Sequence, residues 1–375
     1  MYEIKFNKRI LACFMSFFLF FSCSTVKNEY GPIDIDNQIA DEPLIEEVPP
    51  PVMVYYEGNL LNIFFHVLIA RPEIAFKGSK KDHYKEWFVT VDEYKKILDE
   101  LYLQNYVLVD IKEFYTVTYT NNIKTVKANK LLVPQGKMPL ILSVDDLSYY
   151  ETNRKNGTVH KLVIDKNGGI AAWTDTPSGG EISYDLDIIT ITEDFIKKHP
   201  DFSLRGAKGI IAPTGFEGVL GYRTQGENSK AAGYQQEIEN AIKVANKLKE
   251  LGWRFASHSW DHFNMQKVSM EVFVNDLNLW DKEVKPILGE TDLYIYPYGA
   301  VLENYEEKHK ILRERNFNLF FGVGSGYGYR IGPRSEYIFL TRRNIDGCYF
   351  RLFRNSDKKL FDIDKVMDKQ NRGIQ

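Results

Sequence analysis

Cysteine is nearly missing from this chain: three in 375 residues. Cys13 and Cys23 sit near the N-terminus, so Cys348 stands alone further on and no disulfide framework can staple the fold. A single unpaired thiol reads as a small buried apolar residue before it reads as a nucleophile. Excess charge of either sign is also missing: 48 Lys and Arg against 51 Asp and Glu leave a net charge of −3. With no basic arm either, nucleic acid is not an expected partner. No internal repeat is present, which argues against a solenoid or propeller. The apolar run Ile10 to Phe21 is too short to span a bilayer comfortably.

That run comes after Lys5, Lys8 and Arg9 and fits the apolar core of a signal segment. It ends Leu19-Phe20-Phe21-Ser22-Cys23, which resembles the lipobox of bacterial lipoproteins. The resemblance implies that Cys23 is lipidated and becomes the new N-terminus. Phe20 stands where the lipobox usually has leucine. A cleaved signal peptide with an incidental cysteine, or an uncleaved anchor, are the alternatives, and all three export the rest of the chain. Residues 24–53 are acidic, almost free of aromatics, and close on Glu46-Glu47-Val48-Pro49-Pro50-Pro51. Such a segment cannot bury a core and reads as a tether. The expectation is a signal peptide over 1–23, a tether over 24–53 and one domain over 54–375. That domain would be held by a lipid on Cys23 at the outer face of a bacterial membrane, as a monomer.

From Val54 onward short apolar runs alternate with amphipathic helices. Strand candidates are Leu60 to Phe65, Tyr106 to Val109, Pro139 to Val144, Ala207 to Ala212, Trp253 to Ser257, Asp292 to Tyr296, Leu319 to Val323 and Tyr337 to Thr341. Helix candidates are Val89 to Leu101, with Thr90 and Glu93 spaced as a capping box, Thr192 to His199, Tyr234 to Leu251, Met270 to Leu288 and Asn304 to Arg315. An irregular stretch over about 147–183 holds a hairpin signal around Asn167-Gly168. Asp165 and Asn167 loosely match a calcium loop, but the rest of that motif is missing. Repeated βα units predict an α/β fold with a parallel sheet, open or closed into a barrel.

Polar residues gather at the ends of these strands. His66, Asp145 and Asp146, His258, and the turn Tyr296-Pro297-Tyr298-Gly299 each come after an apolar run. In βα barrels those ends form one rim, where chemistry is done. Neighbouring strand residues face opposite ways, so Asp145 and Asp146 reach one site only where the chain bends; a pair that merely caps the next turn is the alternative. His258 and His262, four apart, can share one face of a helical turn and hold a divalent metal. Taken singly, each histidine is more often a surface or hydrogen-bonded core residue.

Together these residues resemble a family. Ser143-Val144-Asp145-Asp146-Leu147, His258-Ser259-Trp260-Asp261-His262 and Pro297-Tyr298-Gly299 resemble, in order and spacing, the three motifs of the NodB-like polysaccharide deacetylases (carbohydrate esterase family 4). The front half, with Phe88-Val89-Thr90-Val91-Asp92-Glu93-Tyr94, resembles the extracellular poly-N-acetylglucosamine deacetylase branch. The resemblance covers roughly Asn62 to Asn344, with about 147–183 as an insertion. It implies a distorted (β/α)7 barrel and a divalent metal held by Asp146, His258 and His262; family members use zinc, some cobalt or nickel. It implies Asp145 as the base that takes a proton from the attacking water, and the backbone N–H of Tyr298 as an oxyanion donor. The implied partner is an acetylated glycan at the cell surface.

The chain departs from the family in three places. No histidine comes after His309, so the usual acid is missing; by rim position His66 is the best substitute, or equally a structural residue beneath the site. The arginine that orients the base is absent upstream of Pro297, and Arg342 or Arg343, with Asp346 nearby, are the replacements to consider. Leu147 stands in place of a glycine beside the metal motif. Two further readings therefore stay open: a catalytically impaired glycan-binding lipoprotein, or an O-acetyl glycan esterase. Trp260, Tyr298, Tyr149 and Tyr150 are candidates to stack on sugar rings, or to cover core edges. The glycine-rich loop Thr214 to Arg223 lines a groove or makes tight turns.

Overall fold

The structure is a computed structural model and describes residues 50–374. The expectations placed on Cys13, Cys23, the signal segment and nearly all of the tether lie outside the described residues.

Seven parallel strands form the centre: β1 (Leu61–Phe65), β2 (Met138–Asp145), β3 (Ile210–Ala212), β4 (Arg254–Phe255), β5 (Leu293–Ile295), β6 (Leu319–Val323) and β7 (Ile338–Asn344). Each pairs with its neighbours in sequence, and β7 pairs back onto β1. The remaining gap, between β4 and β5, is bridged by Ser257: its N–H donates to the Leu293 carbonyl and its carbonyl accepts the Ile295 N–H, at 2.9 and 2.8 Å. The result is the distorted (β/α)7 barrel. Near-continuous apolar runs make this possible, because a parallel strand in a barrel is buried on both faces; all five residues of β1 are buried.

Among the described residues, six helices of seven residues or more lie in the connections: α1 (Lys81–Trp87), α2 (Val91–Leu103), α3 (Ile188–Lys198), α4 (Tyr234–Glu250), α5 (Met270–Leu279) and α6 (Glu306–Glu314). The capping box at α2 is present, with Thr90 and Glu93 bonding each other's backbone N–H. Glu93 also receives Arg372 in a buried pair, Nη2 to Oε2 at 2.8 Å, which fastens the C-terminal segment to the start of α2. The βα alternation lapses between β6 and β7, where a short antiparallel strand, Tyr329–Ile331, pairs with β7 instead of a helix. No helix among the described residues is long and apolar enough to cross a membrane.

Side chains alternate in and out along each strand. Ile141 on β2, Ile295 on β5 and Leu340 on β7 belong to the interior cluster, and their neighbours Leu142, Tyr294 and Phe339 pack outward under the helices. The interior cluster continues into Phe114, Tyr115 and Val126 of an unexpected hairpin, Tyr115–Thr120 with Ile123–Ala128. Its turn residues Asn121 and Asn122 both have positive φ, 51° and 63°, the backbone of a tight hairpin turn.

Three local expectations change. The helix expected from Thr192 begins at Ile188, because the Asp187 carboxylate caps it by accepting the Ile189 N–H at 2.9 Å. The helix expected over Met270 to Leu288 is α over Met270–Leu279, widens over Trp280–Val284 ahead of Pro286, and is α again over Lys285–Leu288. The insertion's hairpin pairs as expected, Ile164 opposite Ile170, and gains a third strand, Gly179–Ser183. Asp165 closes its loop by accepting the N–H groups of Asn167 and Gly169, both at 2.8 Å, a turn contact.

Candidate active site

The inward phase of the strands builds the site. On β2, Ile141, Ser143 and Asp145 share one face; on β7, Ile338, Leu340 and Arg342 do the same. Asp145 and Arg342 therefore meet inside the C-terminal mouth of the barrel. Arg342 Nη1 donates to Asp145 Oδ1 at 2.7 Å and Nη2 to Oδ2 at 2.8 Å, and Nη1 also reaches Ser143 Oγ at 3.0 Å. The guanidinium lies over the Phe64 ring, 4.1 Å from its centroid. Arg343, one residue on, points the other way and donates to the Lys358 carbonyl. Of the two arginines considered, Arg342 is the one beside Asp145. Burial pushes the Asp145 carboxyl up, but the Arg342 guanidinium together with His258 and His66 outweighs it and holds the group below the usual carboxylate range.

The chain bends at Asp146, whose φ is +58°. Aspartate is among the few residues that adopt this left-handed backbone readily. The bend is what lets adjacent carboxylates serve one cavity. Asp146 Oδ1 lies 3.8 Å from His258 Nε2 and 3.7 Å from His262 Nε2, and the three ligand atoms are all within 4.8 Å of one another. The helical turn expected for the two histidines is not formed. They sit in a loop in which Ser259 and His262 have positive φ, 61° and 52°, and their rings are 4.9 Å apart. The buried Asp276 of α5 holds that loop by accepting the N–H groups of Trp260 and Asp261, at 3.0 and 2.8 Å.

The donor set suits a divalent metal. His258 Nδ1 faces the Ile295 carbonyl at 3.0 Å, which can only accept, so Nδ1 carries the proton and Nε2 offers its lone pair. Burial pushes the His258 imidazole down to about 4, so it is neutral at pH 7. Two imidazoles and a carboxylate form a three-ligand set of the kind that leaves a position open for reactants.

All six expected site residues, Asp145, Asp146, His258, His262, His66 and Tyr298, line one cavity of about 540 Å³. His66 is in inward phase with Phe64, its ring 5.8 Å from Phe64 and 5.6 Å from Phe88. Its Nδ1 is buried with no hydrogen-bond partner among the described residues. Tyr298 has φ +56°, is 70% exposed, and its ring lies 4.6 Å from that of His262. Its backbone N–H has no backbone acceptor among the described residues.

The aromatic candidates divide between the two readings. Tyr149 is fully buried and bonds Asp187 at 2.8 Å. Tyr150 bonds Asp146 at 2.7 Å. Trp260 donates to Glu283 at 3.0 Å. Only Tyr298 of the four presents an exposed face. Trp87, 42% exposed at the end of α1, lines the same cavity and went unnoticed because α1 buries only Tyr84 and so has no apolar period. Leu147, which stands in place of a glycine, packs into the core beneath the helices and does not line the cavity. The glycines of the loop after β3 make tight turns, since a Cβ on Gly218 (φ +88°) would sit 1.9 Å from the Tyr222 carbonyl oxygen.

A family model described as polysaccharide deacetylase matches residues 228–316, the segment that carries both histidines and Pro297-Tyr298-Gly299. This chain carries a polysaccharide deacetylase domain. It is a hydrolase, and Asp145 and Asp146, outside the matched segment, join that domain's histidines through the barrel. Solved structures similar to this deacetylase include a Streptococcus pyogenes deacetylase PplD in complex with acetate, at 14% identity, covering 78% of this chain and 93% of that one, TM-score 0.42. IcaB from Ammonifex degensii is similar at 12% identity, covering 80% and 97%, TM-score 0.42. A de-N-acetylase from Aggregatibacter actinomycetemcomitans is similar at 11% identity, covering 83% and 100%, TM-score 0.42. A comparison with curated proteins finds no match.

Proposed function

We propose that this deacetylase removes acetyl groups from an N-acetylated cell-surface polysaccharide, as an exported protein anchored by a lipid on Cys23. The proposed cofactor is one divalent metal, zinc before cobalt or nickel, held by Asp146, His258 and His262. The observation that carries the reading is the convergence of those three ligand atoms beside an arginine-clamped carboxylate.

Lewis-acid polarisation of the acetyl carbonyl and acidification of water are what a divalent metal supplies in such a site. The chain's own residues do the rest. Asp145 accepts the proton of the attacking water; its pairing with Arg342 keeps it ionised and fixes its direction. The Tyr298 backbone N–H donates to the oxygen that gains charge as the carbonyl carbon becomes tetrahedral. His66, across the cavity, gives a proton to the departing nitrogen as the C–N bond breaks, because an amide anion is a very poor leaving group. The products are acetate and a free amine. Exposed Trp87 and Tyr298, which line the same cavity, offer faces for sugar rings.

The test is acetate release from peptidoglycan, poly-N-acetylglucosamine, chitin oligomers and acetylxylan, each with added zinc, cobalt or nickel. Release from an N-acetylated polymer supports the reading. Release from acetylxylan alone would make the protein an O-acetyl esterase, and release from none would leave a glycan-binding role.

A further inference from the structure

Tyr150 lies four residues after Asp146, and its hydroxyl has two neighbours: Asp146 Oδ1 at 2.7 Å and Thr214 Oγ1 at 2.8 Å. The protons can be assigned. An ionised carboxylate only accepts, so the Tyr150 O–H donates to Asp146. The Tyr150 oxygen then accepts the Thr214 O–H. Ser148 Oγ donates to the Thr214 carbonyl at 3.1 Å and accepts the Thr214 N–H at 3.0 Å, so its contact with Thr214 Oγ1 at 3.2 Å needs no proton. The direction runs from Thr214 through Tyr150 to Asp146, and each donation polarises the next.

The ring is held as firmly as the hydroxyl. It lies against Phe216, centroids 4.8 Å apart and planes 31° from parallel. The N–H groups of Gly215 and Phe216 both donate to the Trp260 carbonyl, at 2.8 and 3.0 Å. Thr214 and Phe216, which support the tyrosine, thus belong to a loop stitched to the one that carries His258 and His262. Arg223 Nη2 donates to the Tyr149 carbonyl at 3.0 Å and fixes the backbone one residue earlier. Asp145 has Arg342 on both oxygens; the Asp146 side chain has only Tyr150 as a hydrogen-bond donor among the described residues.

We propose that Tyr150 is a positioning residue for the metal centre: its hydroxyl, backed by Thr214, aims the Asp146 carboxylate at the space it shares with His258 and His262. This rests on the metal-centre reading above. Loss of an outer partner of this kind lowers metal affinity by roughly 10- to 100-fold. Tyr150→Phe removes the hydroxyl and keeps the ring on Phe216. Thr214→Val removes the support and keeps the tyrosine.

The experiment measures zinc affinity by competition with a chromophoric chelator. It uses wild type, Tyr150→Phe, Thr214→Val, the double variant and His262→Ala, with metal-free melting temperatures alongside. Tyr150→Phe should bind zinc roughly 10- to 100-fold more weakly while melting like wild type without metal. Thr214→Val should lose less, and the double variant should match Tyr150→Phe, because Thr214 acts only through the tyrosine. If Tyr150→Phe melts early without metal, Thr214→Val decides: weaker zinc binding supports the role, and unchanged binding overturns it. Wild-type affinity in Tyr150→Phe, with zinc lost in His262→Ala, overturns this inference alone. No zinc binding by wild type would overturn the metal-centre reading with it.

Discussion

Arg342 and Asp145 form a two-pronged ion pair inside the barrel mouth, with side chains only 1% and 3% exposed. Removing one partner strands the other charge in a low-dielectric site. Arg342→Met should therefore cost roughly 3–5 kcal/mol in denaturant unfolding. Arg342→Lys keeps the charge but not the planar fork. It should fold, with kcat down by about 10²-fold and KM nearly unchanged, as misaimed catalytic groups behave. A kcat equal to wild type in Arg342→Lys would show that the pair is structural only.

His309 predicts an acid-sensitive step. It is buried in α6 against Phe320 and Tyr337 and accepts a hydrogen bond from Arg313 at 2.6 Å. Burial first, then Arg313, push its pKa down from 6.5 to about 4. A histidine depressed on folding contributes stability that is full above the unfolded value and is lost as pH falls through 6.5 toward 4. The difference of about 2.5 pH units corresponds to about 3 kcal/mol. Urea unfolding of wild type and His309→Leu at pH 7 and pH 4 should show the wild type losing about 3 kcal/mol relative to the variant. A pH-independent difference contradicts the assignment.

His66 as the acid predicts a substrate-dependent loss. An activated acetate ester leaves without protonation; an amide nitrogen does not. His66→Ala should slow N-deacetylation of a chitin oligomer by roughly 10²- to 10⁴-fold and hydrolysis of the activated ester far less. Equal losses on both substrates would assign His66 to structure.

Trp87 predicts a binding effect. Its exposed ring at the end of α1 lines the cavity. Trp87→Ala should raise KM on a glycan oligomer roughly tenfold, about 1.4 kcal/mol, and leave small-ester hydrolysis unchanged. No change in KM on the oligomer would remove Trp87 from the sugar path.

The barrel was readable in the sequence because parallel strands need apolar runs, and polar residues at their ends mark the rim. Strand phase went further than motif order: Leu340 faces inward, so Arg342 must and Arg343 cannot. Other features left no periodic trace. Tyr150 lies outside any strand or helix, where no pattern separates a sugar platform from a carboxylate holder. The loop from His258 to His262 has helical spacing, yet Asp276 and two left-handed residues give it another path. The Tyr115–Ala128 hairpin did carry a signal, Tyr-Thr-Val-Thr-Tyr-Thr and then Asn121-Asn122, in plain alternation.

The most direct test of the central claim is a paired measurement on Asp145→Asn: bound zinc and acetate release from an N-acetylated glycan. The account predicts zinc held at the wild-type level by Asp146, His258 and His262, and acetate release down by at least roughly 10²-fold. Acetate release equal to wild type in that variant would contradict it.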